Sequence, residues 1–349
     1  MSHLYVDNES GLAFDSLFLS NESGVPVFVP LLQATCAILA DGRVGLRSKQ
    51  PAVNVAGEWY GAPATSSLKL EPQIAFMKPA TDVVLLGHAY PSKPGGSEGQ
   101  VGIRVGPVQK VARVWGDRML VGRVGPRITP AAAFEKIPLV YERSFGGWDR
   151  RHAEVDRHRC EARNPVGVGF RDPRLGADDE VPLPNFEDPN RPFSGYGDAP
   201  PPAGFGFIQA SWQPRVSYAG TYDEAWEKTR KPLLPADFDR RFFNSAPPGL
   251  IAPGYLEGNE QVVVIGATPE GRFAFNLPDI APSSCLVEMR GGQKVTLQTV
   301  LDTVIVDMDA RALVMIWRAY VTLRNGPHDV VAVIVDPQPE PPDEVEDVE

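Results

Sequence analysis

The chain has 349 residues, enough for one large domain or two ordinary ones around a sizeable hydrophobic core. Its formal net charge is −10 at pH 7, but seven acidic residues and no basic residue lie from Asp336 onward, so the remaining residues carry only about −3. A body this close to neutral, with no run of Lys or Arg, lacks the basic surface that nucleic acids and anionic membranes require, so neither is expected as a partner.

Cysteine usage and the N-terminal residues indicate the cellular compartment. The three cysteines are an odd number without a C-x-x-C pair, which predicts free thiols in a reducing environment. Residues 1–12 contain Asp7 and Glu9 but no Lys or Arg, unlike a signal peptide. The most apolar stretch, 312–323, is too short to cross a bilayer and contains Arg318. We therefore expect a cytoplasmic protein.

Residues 17–140 show the pattern of one strand after another. Residues 25–40 are apolar and rich in β-branched side chains, and the Asp-Gly pair that follows at 41–42 is typical of tight hairpin turns. Residues 101–105 alternate Val or Ile with Gly and Arg, which is the period of a half-buried strand. This part of the sequence is predicted to supply antiparallel strands.

Residues 141–258 are rich in Pro, Gly, Arg, Asp and aromatic residues, and they predict only two short helices. Thr221 and Glu224 fit a capping box, which favours a helix over 222–230. A proline at the start of 235–243 favours the first turn of a second helix there. A loop-rich segment of this length is usually functional, or else irregular structure packed on the sheets.

Residues 259–335 are predicted to form an antiparallel meander. The alternation of apolar and polar residues at 294–299 is typical of a sheet with one solvated face. The segment 312–323 is apolar almost throughout, which predicts a central strand covered on both faces. The expected strands are 261–267, 272–277, 285–289, 294–301, 303–308, 312–323 and 330–335.

These patterns together predict a mainly β fold (β-rich α+β). Antiparallel sheets are expected to form a sandwich or barrel-like scaffold with a long, loop-rich, partly helical middle insertion. The expected organisation is an N-terminal extension (1–16), a single domain (17–335) and a disordered acidic tail (336–349). The tail holds seven acids and four prolines, which leave little apolar surface to bury.

Motifs for cofactor chemistry are absent from the sequence. It contains no G-x-x-x-x-G-K-[ST] and no strand-linked G-x-G-x-x-G, so no cofactor is expected. A G-x-S-x-G match occurs at 95–99, but it lies in a Gly-rich run that we interpret as a hairpin tip and not as a nucleophile elbow. An S-x-x-K match at 66–69 is short enough to arise by chance.

The best metal-ligating candidates are His152, His158 and Cys160, because zinc binds imidazole and thiolate groups. Five arginines crowd the same segment, and their positive charge disfavours a cation. We therefore predict that no metal binds there, and that this basic loop instead donates hydrogen bonds to carboxylates or backbone carbonyls.

Two carboxylate pairs are candidates for acid–base catalysis. Asp237 and Asp239 are two residues apart and would point away from each other on a helix. Asp223 and Glu227 are four apart and face the same way, but acidic residues near a helix N-terminus ordinarily stabilise the helix dipole. Catalysis by either pair would require a cleft.

Arginine and aromatic residues are dense in 141–258, and protein interfaces favour this composition. Exposed members of the set would supply large anchors for a partner, although Trp226 could instead be core. The candidate partner-binding residues are Trp148, Arg163, Phe170, Tyr222 and Trp226.

Several strings, taken in order, resemble the bacterial domain-of-unknown-function family 2169, which is encoded in type VI secretion clusters. Each string alone is short, but in this order the resemblance extends from about residue 17 to 335, nearly the whole sequence. They are 78–90 (KPATDVVLLGHAY), 116–118 (GDR), 141–147 (YERSFGG), 163–170 (RNPVGVGF), 183–187 (LPNFE), 220–226 (GTYDEAW), 234–244 (LPADFDRRFFN), 301–303 (LDT) and 317–318 (WR).

The resemblance implies an adaptor or chaperone that binds a cognate secreted effector or toxin in the cytoplasm and helps to load it onto a spike-tip protein. It implies no catalytic residues. Ser144 stands where the resemblance leads us to expect a small apolar residue. The alternatives are a cryptic, hydrolase-like enzyme that uses polar clusters between 149 and 239, or a structural component of the secretion tip, which would form a stable trimer.

Overall fold

A computed structural model describes residues 4–280, 284–337 and 344–345. Strands make up 37% of it and helical segments 8%, which confirms the prediction of a mainly β fold. In sequence order the strands are β1 (Tyr5–Asn8), β2 (Ala13–Ser20), β3 (Pro26–Ile38), β4 (Val44–Arg47), β5 (Glu58–Trp59), β6 (Leu68–Leu70), β7 (Asp82–Leu86), β8 (His88–Ala89), β9 (Glu98–Val105), β10 (Val108–Trp115), β11 (Met119–Val121), β12 (Arg127–Ile128), β13 (Ile137–Pro138), β14 (Phe145–Gly146), β15 (Trp148–Asp149), β16 (Arg159–Cys160), β17 (Val168–Gly169), β18 (Glu180–Pro182), β19 (Phe186–Glu187), β20 (Gln261–Ile265), β21 (Arg272–Asn276), β22 (Cys285–Met289), β23 (Lys294–Leu297), β24 (Val300–Asp307), β25 (Ala312–Arg318), β26 (Val321–Thr322), β27 (Val330–Val335) and β28 (Glu344–Val345).

The largest sheet is mixed and is organised around β3. Its strand order is β28-β4-β3-β25-β24-β7, with β2 and β26 also paired to β3. All but the first residue of β3 are buried, as expected for an apolar strand covered on both faces. The pairing of β3 with β25 joins the N-terminal strands directly to the C-terminal ones.

A second sheet of five strands is antiparallel throughout, in the order β19-β10-β9-β20-β21. The hairpin β9–β10 turns at Gly106, where φ is +50° and a residue without a side chain is favoured. A third sheet has the order β1-β27-β22-β23, in which β1 runs parallel to β27. None of the sheets closes on itself.

The expected strands of 259–335 are present, but they do not form one meander. β20 and β21 extend the five-stranded sheet, β22, β23 and β27 belong to the third sheet, and β24, β25 and β26 belong to the largest sheet. The apolar run 312–323 is divided into β25 and β26. Tertiary pairing therefore redistributes neighbouring strands among three sheets.

One hydrophobic core joins the three sheets and contains Leu32, Val83, Val101, Val264 and Val287, among many others. A smaller second core lies within the loop-rich segment and its neighbours. It is formed by Leu120, Phe145, Val181, Leu183 and Phe193.

Among the described residues there is one α-helix, α1 (Glu224–Thr229). The predicted capping box is wrong: the carboxylate of Asp223 caps the helix by accepting from the Trp226 N–H at 2.8 Å, because Thr221 is bonded to Asp237 instead. The second predicted helix is reduced to a 3-10 turn. The 3-10 turns are Tyr141–Arg143, Val155–Arg157, Pro173–Leu175, Arg215–Tyr218, Arg240–Phe243 and Pro327–Asp329.

Most of the expected acidic tail, 336–349, lies outside the described residues. Within it, β28 pairs in parallel with β4. Across the parts of the protein that the structure describes, no helix is both long and apolar enough to span a membrane.

Candidate functional site

The start of the loop-rich segment (residues 141–258) is held together by Asn164. This side chain is fully buried, and its Nδ2 donates to the backbone carbonyls of Tyr141 at 2.8 Å and Phe145 at 3.0 Å, with a longer contact to that of Ser144. The strings 141–147 and 163–170 therefore interlock, and the parallel pair β14–β17 fixes their register. Buried amide-to-carbonyl bonds of this kind restrict a loop to one shape.

Glycines allow these two strings to approach closely. A Cβ added to Gly146 would lie 2.1 Å from the carbonyl oxygen of Asn164, and one added to Gly147 would lie 2.3 Å from that of Gly167. Both residues also have positive φ, +156° and +95°. The YERSFGG string thus needs its glycines for backbone contact.

Four acidic residues of the loop-rich segment share one local arrangement, which we call the carboxylate–arginine bracket. In each, the carboxylate accepts both the backbone N–H and the guanidinium of the arginine two residues later. The brackets are Asp149–Arg151, Glu161–Arg163, Asp172–Arg174 and Asp239–Arg241. Bidentate bonds of this type are among the stronger hydrogen bonds in proteins.

The brackets determine the charge of the region. Burial acts to raise the pKa of Asp149, but the bonds from Arg151 and from the Asp172 N–H outweigh it and lower that pKa to about 2. The pKa of Glu161 is also lowered, against the effect of burial, by its bonds from Arg163. The arginines of these brackets are therefore neutralised locally.

The predicted partner-binding residues lie in four places. Trp148 on β15 is 44% exposed, and the guanidinium of Arg150 stacks over it at 5.6 Å from the ring centroid. Phe170 is half-buried against the second core, so it has a packing role. Arg163, half-buried, also donates to the carbonyls of Ala199 and Pro200 at 3.2 Å each.

The remaining two candidates form a pair at α1. The rings of Tyr222 and Trp226 meet edge to face with centroids 4.7 Å apart. Tyr222 is 53% exposed, whereas Trp226 is half-buried and donates its Nε1–H to the Leu233 carbonyl at 2.8 Å. Within the described residues, no hydrogen bond or ring contact joins this pair to Trp148, Arg163 or Phe170.

Arg163 also lines a cavity of about 310 Å³, a feature that sequence reasoning missed. Its other walls come from β10, from Tyr141 and from five prolines, Pro201, Pro202, Pro214, Pro247 and Pro248. A signal for it was present in the sequence. Val108, Ala112 and Val114 of β10 are buried, so Lys110 occupies an inward-facing place in the same alternation.

A network of buried charges lies where four of the family strings meet. The ammonium of Lys78 is 2.9 Å from both Asp82 Oδ2 and Thr303 Oγ1. Asp82 also accepts from Asn244 Nδ2 and the Ser245 N–H, both at 2.9 Å. Burial acts to raise the pKa of Asp82, but Lys78 and these donors lower it overall.

The network continues through Asp302, which accepts from Thr303 Oγ1 at 2.8 Å and from Arg318 Nε at 2.6 Å. Lys78, Asp302 and Arg318 form part of the wall of a second cavity, of about 270 Å³, together with Tyr255 and Tyr320. Because these charges already bond to one another, the arrangement favours a structural network over an acid–base site.

The carboxylates proposed above for catalysis have structural partners. Asp237 accepts from Thr221, and Asp239 belongs to a bracket. Asp223 caps α1, while Glu227 pairs with Lys231 at 3.1 Å.

The histidines proposed above as metal ligands also contact protein groups. His152 Nδ1 accepts from the Glu154 N–H at 3.1 Å, and His158 Nε2 lies 3.1 Å from the His152 carbonyl. Cys160 is half-buried opposite Trp148 in the β15–β16 pair. In the part of the protein that the structure describes, no three His, Cys, Asp or Glu side chains are grouped to hold a metal ion.

Comparison with known proteins gives one match. The model of the family described as "Uncharacterized protein conserved in bacteria (DUF2169)" matches residues 23–318, well over half of the sequence. No curated protein and no solved structure matches.

Proposed function

The chain belongs to the DUF2169 family of uncharacterized bacterial proteins, and on that premise we propose that it is a cytoplasmic adaptor that binds a type VI secretion effector and helps to load it onto the spike complex. The family strings support this proposal, because they resemble a family encoded in type VI secretion clusters. They extend over most of the matched span.

One structural observation carries the proposal: the loop-rich segment presents exposed aromatic groups on a locally braced backbone. Trp148 with its stacked Arg150 and the Tyr222–Trp226 pair are surface features of the composition that binding hot spots favour. Brackets and the Asn164 bonds hold the surrounding loops in place. A preformed surface binds a partner with a smaller entropic cost than a flexible one.

The test is co-expression with the toxin encoded beside this gene. We expect the two proteins to co-elute in size-exclusion chromatography, and deletion of the gene to stop secretion of that toxin while toxins with other adaptors are still secreted. A trimer that co-purifies with the assembled spike and binds no toxin would instead indicate a structural part of the tip. Normal secretion of the neighbouring toxin after deletion would overturn the proposal.

A further inference from the structure

The cavity beside β10 contains a cation without an ionic partner. Lys110 Nζ has one protein hydrogen bond among the described residues, a long one of 3.3 Å to the Pro248 carbonyl, and lies 5.9 Å from the Phe205 ring centroid. Across the described residues, no carboxylate lies within 4.0 Å of this ammonium. Two of the three ammonium donors are therefore open to a ligand.

Three buried cations of this protein, by contrast, are paired. Lys78, Arg118 and Arg318 lie 2.9, 2.5 and 2.6 Å from carboxylate oxygens. Lys110 is half-buried, and burial lowers its pKa to about 8, against the opposing influence of Asp188. Partial desolvation of an unpaired charge is unfavourable, so an anion bound beside Lys110 would be stabilised by it.

The other ionic groups in the cavity wall do not act as a counter-ion for Lys110. Arg163 is bonded to Glu161 at 2.7 Å through both Nε and Nη2, and Asp188 accepts from the Asn190 N–H at 2.8 Å. Tyr141, also in the wall, donates its hydroxyl to the Gly206 carbonyl at 3.2 Å. Lys110 is thus the group available to an incoming anion.

The walls restrict which anion fits. Phosphate sites in proteins use clusters of backbone N–H donors, and the five wall prolines have none. The negative charge of Asp188 also disfavours a multiply charged anion, whereas its carboxylate oxygens can accept a hydrogen bond from an N–H of the ligand. A single carboxylate on an apolar body that also carries an amide N–H matches these features, and a peptide has this chemistry.

We propose that this cavity receives a carboxylate of a peptide segment from the bound partner, with Lys110 as its counter-ion. The volume of about 310 Å³ is at the small end of the range for ligand sites, which suits one or two residues of an extended segment. The assignment of this segment to the effector rests on the proposed adaptor function. The carboxylate site itself is tested without the effector.

The probes are N-acetyl-leucine, which imitates the C-terminus of a polypeptide, and the α-amide of N-acetylglutamate, which imitates an acidic side chain. N-acetylleucinamide is the uncharged control. In the full-length protein with isotopically labelled lysine, we expect one or both carboxylates to shift the Cε and Nζ resonances of Lys110 and to raise its titration midpoint. Lys228, exposed and paired with Glu224, should not respond.

Lys110→Met should weaken the affinity for the probe at least tenfold, and Lys110→Arg should retain part of the native affinity. Thermal melts should show that both variants fold. Equal binding of the amide control, no response in the native protein, or unchanged probe binding by Lys110→Met would overturn the carboxylate site.

If the probe binds but the toxin does not co-elute, the proposed function fails and the site stands. If the toxin binds Lys110→Met as tightly as the native protein, the adaptor stands and the assignment of its segment to this cavity fails.

Discussion

The Lys78 ammonium and the Asp82 carboxylate lie 2.9 Å apart in the interior, with side-chain exposures of 2% and 0%. Removing one partner of such a pair leaves an uncompensated buried charge. We expect Lys78→Met to cost about 3–5 kcal/mol of unfolding free energy, measured by urea denaturation. Lys69→Met, which breaks an exposed pair with Glu58, should cost less than about 1 kcal/mol. Similar small losses for both would contradict a structural network.

The bracket at Asp149 predicts a pH dependence. Because the pKa of this carboxyl is lowered to about 2 in the folded protein, its stabilisation is fully present above the unfolded value near 4 and is lost as the pH falls through about 2. Asp149→Asn should therefore cost about 2 kcal/mol at pH 7, and the difference from the native protein should shrink between pH 5 and pH 2. Asp179→Asn, at an exposed pair with Arg123, is the control. A pH-independent difference would show that charge is not responsible.

Ser144 is fully buried, and its Oγ has no hydrogen-bond partner among the described residues. An unsatisfied buried hydroxyl is destabilising, so we expect Ser144→Ala to stabilise the protein by about 1 kcal/mol in thermal or urea unfolding. The matched control is Ser67, which is 1% exposed but donates to Glu142 Oε2 at 2.6 Å. Ser67→Ala should destabilise by about 1–3 kcal/mol. Destabilisation by Ser144→Ala would show that its hydroxyl is bonded, for example to water.

Gly147 and Gly176 distinguish two reasons why a position requires glycine, a positive φ and close contact with neighbouring backbone. Both have positive φ, +95° and +75°, but only a Cβ at Gly147 would collide with backbone, 2.3 Å from the Gly167 carbonyl oxygen. Gly176→Ala should cost about 1–2 kcal/mol from backbone strain alone. Gly147→Ala should cost more than about 3 kcal/mol or prevent folding, since the interlocked strings must separate. Equal costs in denaturant titrations would mean that the strings do not approach so closely.

The partner-binding candidates divide by exposure. Tyr222→Ala and Trp148→Ala should each weaken effector binding by about 2 kcal/mol or more, with little change in melting temperature, because both rings are exposed. Phe170→Ala should lower stability by about 2 kcal/mol or more, because this ring packs on the second core.

Tyr5→Ala is the matched control for binding, since Tyr5 is 61% exposed on β1, away from the loop-rich segment in sequence. Calorimetry with the purified toxin and melts of each variant supply both readouts. If Tyr5→Ala abolishes binding while Trp148→Ala and Tyr222→Ala do not, the interface lies on the outer strands.

Local pattern was sufficient to predict individual strands but not their partners. Residues 25–40 and 101–105 are recognisable because apolar runs and period-two alternation are properties of one strand. The partners of β20 and β22 depend on contacts with β9 and β27, which are distant in sequence. The helix cap was missed because Asp223 competes with Thr221, and a tertiary bond to Asp237 decides between them.

The candidate site, like the fold, could be predicted only where local sequence is sufficient. The prediction that basic residues of 149–163 bond carboxylates needed only local sequence, and the brackets at Arg151 and Arg163 have that form. The cavity needed the tertiary fold, because β10 and the prolines of the loop-rich segment, which together form its walls, are far apart in the sequence. Only the alternation of Val108, Ala112 and Val114, which places Lys110 on the apolar face of β10, was visible in the sequence.

The parallel pairing of β1 with β27 has a consequence for biosynthesis. Tyr5 lies opposite Ala332, and almost all of the described residues separate the two strands. Because β1 pairs only with β27 in this sheet, the ribosome must finish β27 before β1 can join the sheet. Contacts between residues so far apart in the sequence slow folding, and they leave apolar strand edges uncovered until the partner strand has been made. The third sheet is therefore completed only after β27 has been synthesised, and a nascent polypeptide that stalls before residue 330 cannot complete it.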